Sequence, residues 1–292
     1  MPEIRAEDIR APAVAGLFYP DDPTQLRDEV VKLLTEAQPE FSNTNIVAAV
    51  APHAGYMYSG PTAAHVFKTL QACYAPPAAE KFSPTIVVVA PSHREAFPFI
   101  SVFTGQAYRT PLGDVPIAKE FAQALVDSDP MIHADWRGHR DEHALEVELP
   151  FLQVLWPAFR LVPVVMGDQD WELCRILGGQ LAQLGREFSI FILASSDLSH
   201  YYSYDEAVEI DQRFIRHVQA FNPEALHQAL ENDECQACGG GPVVAAMLAA
   251  KLLGANAAEV LRYQNSGDVS GDRRAVVGYL AATFGKSQVA RD

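Results

Sequence analysis

Ile86-Val87-Val88-Val89-Ala90-Pro91-Ser92-His93 is an unbroken apolar run that stops at a serine and a histidine. Two further segments repeat the pattern: Ile46-Val47-Ala48-Ala49-Val50-Ala51-Pro52-His53, and Ile190-Phe191-Ile192-Leu193-Ala194-Ser195-Ser196-Asp197 with His200 close behind. Short runs without polar alternation read as strands buried on both faces, the kind found in a parallel sheet with helices on either side. Parallel strands point the same way, so their carboxyl ends share one edge, where open α/β sheets bind ligands. Three histidines and an aspartate beyond those ends mark one expected site.

Outward from these strands, helix and strand alternate. Helices are expected over Asp22 to Ala37, from Ser59-Gly60-Pro61 onward, from Pro116 to about Val126, and from Asp141 toward Leu155. More are expected over Trp171–Leu184, Asp205–Ala220, Pro223–Leu230 and Pro242–Leu253. Short strands are expected near Ile100–Phe103 and Leu161–Met166, a proline-rich loop over Ala75–Ala79, and closing strands over Val260–Tyr263 and Ala275–Phe284. This order predicts an α/β fold, a largely parallel or mixed sheet flanked by helices, with residues 1–292 as one domain.

The formal net charge of -15 repels polyanions, and no cluster of Lys and Arg offsets it, so a nucleic-acid partner is excluded. No apolar stretch approaches the roughly 20 residues a membrane span needs. The start, Met1-Pro2-Glu3-Ile4-Arg5-Ala6-Glu7-Asp8, is polar, and four cysteines are too few for a disulfide scaffold. A cytoplasmic protein with no membrane partner is the expectation.

A lone histidine at a strand end is as readily a hydrogen-bonded packing residue as a ligand. Three at one edge are not a packing requirement, so His53, His93 and His200 are candidate transition-metal ligands or proton carriers. His65, His217 and His227 fall in predicted helices without polar company, and His133 and His139 in a polar loop are expected to be solvated. His143 is open: Asp141-Glu142-His143 could start a helix or bring Glu142 and His143 into the site. Asp197 and His200, three apart, face one pocket if their turn is helical, and the carboxylate could then orient the imidazole. In Cys235-Gln236-Ala237-Cys238-Gly239-Gly240-Gly241, Cys238 sits just ahead of a predicted helix start, a position expected to lower its pKa and favour the thiolate. No second pair completes a zinc ribbon, and neither a G-x-S-x-G elbow nor a Walker loop is present. Ser266–Asp272 reads as a tight turn, bordering the pocket through Asp268 or Asp272.

Pro12-Ala13-Val14-Ala15-Gly16-Leu17-Phe18-Tyr19-Pro20, Pro52-His53-Ala54-Gly55-Tyr56-Met57-Tyr58-Ser59-Gly60, Pro91-Ser92-His93 and Asp141-Glu142-His143-Ala144-Leu145-Glu146 together resemble the Memo family, called AmmeMemoRadiSam system protein B in bacteria and archaea. Ser195-Ser196-Asp197-Leu198-Ser199-His200-Tyr201, Cys238-Gly239 and Ser266-Gly267-Asp268 extend the resemblance over nearly the whole chain. It implies a fold similar to the class III extradiol dioxygenases, which hold non-haem iron on two histidines and a glutamate, with a cysteine in place of the glutamate. By that resemblance His53, His93 and Cys238 are the metal ligands, and His200, Asp197 and His143 are the catalytic candidates. Arg94 stands where better-known animal members carry a second histidine. The implied cofactor is Fe(II), with Cu(I) or Zn(II) as alternatives because thiolate softens the site. A redox enzyme acting on a small-molecule substrate is the first expectation. The others are a binding protein that holds a peptide or partner without turnover, and a zinc hydrolase. Radical-SAM and AMMECR-type proteins are the partners the resemblance implies.

Overall fold

The computed structural model describes residues 3–74 and 83–287. The proline-rich Ala75–Ala79 lies outside them. Strand β1 (Ile9–Arg10) and helix α1 (Pro23–Glu36) precede β2 (Thr44–Ala51), α2 (Tyr56–Cys73) and β3 (Thr85–Pro91). Next come β4 (Ile100–Val102), β5 (Ala107–Thr110), β6 (Gly113–Pro116), α3 (Lys119–Ser128) and β7 (Ile132–Ala134). A 3-10 turn (Glu146–Glu148) runs into α4 (Leu149–Leu155), followed by β8 (Arg160–Met166), α5 (Trp171–Leu184), β9 (Ile190–Ser195) and β10 (Asp197–Tyr202). The chain closes with α6 (Tyr204–Gln219), α7 (Pro223–Glu231), α8 (Gly240–Leu252), β11 (Ala257–Asn265), α9 (Ser266–Ser270) and β12 (Val276–Lys286).

The three apolar runs form the parallel centre of a mixed sheet ordered β10-β12-β2-β9-β3-β8-β4-β7, with β11 also paired to β12. Val50 pairs with Ala194, and Val89 with both Ala194 and Val164, so β2, β9, β3 and β8 run side by side in one direction. Ile86 through Ala90 are fully buried, and burying each Val or Ile there contributes roughly 1.5–3 kcal/mol. Outside this centre the polarity reverses: β12 is antiparallel to β2, and β4 to β8. The helices α1, α2 and α4 pack together on one side, with α2 against β2 and β12. On the other side α8 packs on β2, β3 and β9 beneath α5 and α7. Sandwiched in this way, α8 is apolar nearly all round. An added Cβ on Gly178 of α5 would stand 2.7 Å from Leu248 Cβ, which shows how closely the two helices approach.

Four local expectations change. Helix α2 starts at Tyr56, because Gly55 O already accepts from the N–H groups of Tyr58 and Ser59, and Pro61 lies inside it. Pro116 ends strand β6 instead of opening a helix, and α3 begins three residues later. Helical structure after Asp141 waits until Glu146, because Glu142 takes the backbone N–H groups of His143 and Ala144 onto its side chain. Ser266–Ser270 forms a short helix, closed by Gly271 in the left-handed conformation.

Candidate metal centre

His53, His93 and Asp197 stand two residues past the ends of β2, β3 and β9 respectively, so the parallel register carries all three to one edge. Cys238 reaches the same edge from the turn before α8. That turn sits against the β9 end: Cys238 N–H donates to Asp197 O at 3.2 Å and Gly239 N–H to Ser196 Oγ at 3.0 Å. A Cβ on Gly239 would lie 2.4 Å from Ser195 O, so only glycine lets the cysteine approach this closely.

One nitrogen, thiol or carboxylate atom from each of His53, His93 and Cys238 falls in a cluster whose members are all within 4.8 Å of one another. His53 is almost wholly buried, and its Nε2 is 3.2 Å from Cys238 Sγ. Its Nδ1 is 2.8 Å from Ser195 Oγ, while that hydroxyl has acceptors in Ala144 O at 2.7 Å and Glu148 Oε1 at 2.8 Å. With the serine hydrogen directed to those acceptors, Nδ1 carries the ring proton and Nε2 presents a lone pair toward the thiol. His93 is fixed in the same manner: its Nδ1 is 2.9 Å from Glu142 Oε1, leaving the other ring nitrogen for the site. Burial, then the neighbouring rings of His143 and His93, hold His53 well below the usual histidine range. Burial alone would push the Glu142 carboxyl up, but the ring nitrogens of His143 and His93 close beside it outweigh this and hold it well below the usual carboxylate range.

His143 packs against three rings, with centroids 4.8 Å from Phe18, 4.8 Å from His93 and 5.3 Å from His53. Asp197 does not pair with His200, contrary to the sequence expectation. The residues after Ser196 form strand β10, not a helical turn, and the Asp197 carboxylate accepts from His53 N–H at 2.8 Å. Burial pushes Asp197 up to about 7. His200 Nδ1 is 2.8 Å from Leu198 O, and burial lowers its pKa. The expected lowering of the Cys238 pKa is also overturned: burial, together with the Asp197 charge, pushes the thiol up, outweighing its place ahead of α8.

Two cavities meet this edge. One, of about 760 Å³, is lined by His53, His93, His143, Asp197, His200 and Asp272 among others. Asp268 is tied to Tyr204 Oη at 2.7 Å. The other, of about 630 Å³, is lined by Cys235, Cys238, His200 and His227 among others. His139, expected in solvent, is fully buried beside Tyr108, whose hydroxyl is 2.6 Å from its Nδ1. Glu148 escaped the sequence reading, although Leu145-Glu146-Val147-Glu148-Leu149 shows carboxylates set among apolar residues. Burial pushes its carboxyl well above the usual carboxylate range, only partly offset by Ser195.

Fold and site together define an α/β protein with a two-histidine, one-cysteine donor set at the carboxyl edge of its parallel strands. The family described as "Memo-like protein" matches residues 10–283. A MEMO1 family protein of Methanopyrus kandleri is 39% identical over 286 residues, covering 94% of this chain and 98% of its own. Those of Methanosarcina mazei (39% identical, 94% and 98% covered) and Sulfolobus acidocaldarius (36%, 95% and 99%) are similar to the same extent. The chain belongs to the Memo family. A solved structure, an uncharacterized protein of Escherichia coli K12, shares the fold at TM-score 0.54 and 15% identity, covering 82% of this chain and 100% of its own. No helix among the described residues is long and apolar enough to cross a membrane.

Proposed function

We propose that this chain is a metal-dependent redox enzyme, holding a transition metal on His53 Nε2, the free ring nitrogen of His93 and Cys238 Sγ. The observation that carries this is the pinning of both rings by Ser195 and Glu142 while each offers a nitrogen to a cluster with Cys238 Sγ whose atoms all lie within 4.8 Å of one another. Family membership favours Fe(II) first, and two imidazoles with a softer thiolate also suit Cu(I) or Zn(II). Bound there, iron would supply one-electron chemistry toward O2 or a small organic substrate. The protein's own part is positional and protonic. His200 borders the cavity with Nδ1 facing Leu198 O, so its Nε2 is the proton acceptor presented to a molecule inside. His143 closes the cavity beside His93. Asp197 holds the His53 backbone in place.

Anaerobically purified protein should carry a transition metal with sulfur-to-metal charge transfer, lost in His53→Ala. Fe(II)-loaded protein should consume oxygen with catecholic compounds or metabolite extracts, and His200→Ala should stop this. Refusal of Fe(II), Cu(I) and Zn(II) by folded protein would end the proposal. A second reading, a pocket that docks a peptide or partner without turnover, draws on Leu17 and Tyr201, large, exposed residues lining the same cavity. Metal binding without oxygen consumption would favour it.

A further inference from the structure

We infer that His93, Glu142 and His143 form a second position for a divalent cation, sharing one imidazole with the thiolate position but none of its other donors. The three offer donor atoms all within 4.8 Å of one another. His93 Nδ1 is 2.9 Å and His143 Nδ1 3.1 Å from the same oxygen, Glu142 Oε1. Donors bonded at roughly 2.0–2.2 Å to a common ion stand about 3 Å apart, so little movement is needed to admit one. His143 Nδ1 is buried and lacks a hydrogen-bond partner, despite that short approach to the carboxylate. Phe18 and the other two histidine rings hold the imidazole in this orientation. A buried ring nitrogen 3.1 Å from a carboxylate oxygen with no hydrogen bond between them fits a place for a cation. Two imidazoles and a carboxylate make a harder set than the thiolate position, matched to Zn(II), Co(II) or Fe(II) in preference to Cu(I).

An ion at this position replaces the proton that His93 Nδ1 shares with Glu142. With the thiolate position empty, that proton passes to Nε2 of the same ring. With it filled, the proton would leave to solvent, and His93 would serve both positions as an imidazolate, a deprotonation that costs free energy. The second ion therefore binds more weakly than the first.

Cobalt(II) titration of the full chain, read by absorption and by equilibrium dialysis, tests this independently of the proposed function. Wild type should take two equivalents, one with sulfur-to-cobalt charge transfer and a weaker one without. His143→Ala should lose the weaker equivalent and keep the charge-transfer band. A His53→Ala/Cys238→Ala protein, folded by circular dichroism, should keep one equivalent with no band, and adding Glu142→Gln should weaken it at least roughly tenfold. Saturation of wild type at one charge-transfer equivalent overturns the inference, as does a His143→Ala protein that still takes two. One equivalent without the band, lost in His143→Ala, would instead sink the thiolate position and leave this one standing.

Discussion

Ser195 Oγ lies 2.8 Å from His53 Nδ1 and decides which nitrogen of that ring faces Cys238. The same hydroxyl is 2.8 Å from Glu148 Oε1, so one serine joins a buried imidazole to a buried carboxyl. Ser195→Ala leaves both groups short of a partner in a dry site. It should cost about 1–3 kcal/mol in urea unfolding, since buried polar groups lose their compensation. Metal affinity should fall about 10–100-fold, as it does when a ligand histidine loses its outer hydrogen bond. An unchanged affinity by competition with a chelator would mean that His53 is oriented by packing alone.

Arg10 ties the start of the chain to the loop that carries Glu142 and His143. Its buried guanidinium donates to Glu146, to Glu142 O and, at 2.8 Å, to His139 O. Glu146 also accepts from Ala13 N–H at 2.7 Å and from the Tyr19 hydroxyl. Arg10→Met removes the cation and leaves the carboxylate buried, which should cost about 3–5 kcal/mol. The loss should appear as a lower urea midpoint with an unchanged slope. A cost under about 1 kcal/mol would show that the remaining donors suffice for Glu146.

The sheet centre was legible because burial on both faces leaves short uninterrupted apolar runs bounded by turn residues, whereas the apolar run of the buried helix α8 is longer. The two helices with clean apolar stripes, α1 and α5, were legible for the same kind of reason. The Asp141–Glu148 segment was not, since its conformation follows from a carboxylate that captures backbone N–H groups, one of them from His93, 49 residues away. His139 misled because Arg137, Arg140 and Asp141 surround it in sequence. Arg10 and Tyr108, which enclose it, come from elsewhere in the chain. Convergence of strand-end residues could be read from topology, but hydrogen bonds between distant segments could not. The partner of Asp197 and the protonation of Cys238 depend on those bonds and on burial.

His139 should make stability fall in mild acid. Burial first, then the Arg10 charge, pushes it down from 6.5 to about 3. Below pH 6.5 the unfolded chain gains a proton that the folded protein refuses, so this contribution is complete above 6.5 and is lost progressively toward 3. Between pH 7 and pH 5 the loss should be about 2 kcal/mol. Asp197, raised from 3.8 to about 7, acts in the opposite sense over much of that interval, so the comparison is between proteins. His139→Gln keeps an acceptor for the Tyr108 hydroxyl and should unfold with a smaller loss from pH 7 to pH 5 than wild type. Parallel stability curves for the two would show that His139 is protonated in the fold.

Gly239 holds the thiol in place through the absence of a side chain. A Cβ there would meet Ser195 O at 2.4 Å and Ser196 Cβ at 2.8 Å, and the first of these is backbone at the end of a central strand. Neither can rotate away, so Gly239→Ala must part the Cys238 turn from the strand end. The overpacking should cost about 1–3 kcal/mol. The displaced sulfur should lower affinity for a thiophilic ion such as Cu(I) about tenfold or more, with weaker charge transfer. Gly179 on α5 is the control: an added Cβ there meets nothing within 4 Å, so Gly179→Ala should stabilise the helix by up to about 1 kcal/mol and leave metal binding alone. If the two alanine variants bound Cu(I) equally well, the close approach at residue 239 would have no bearing on where the thiol sits.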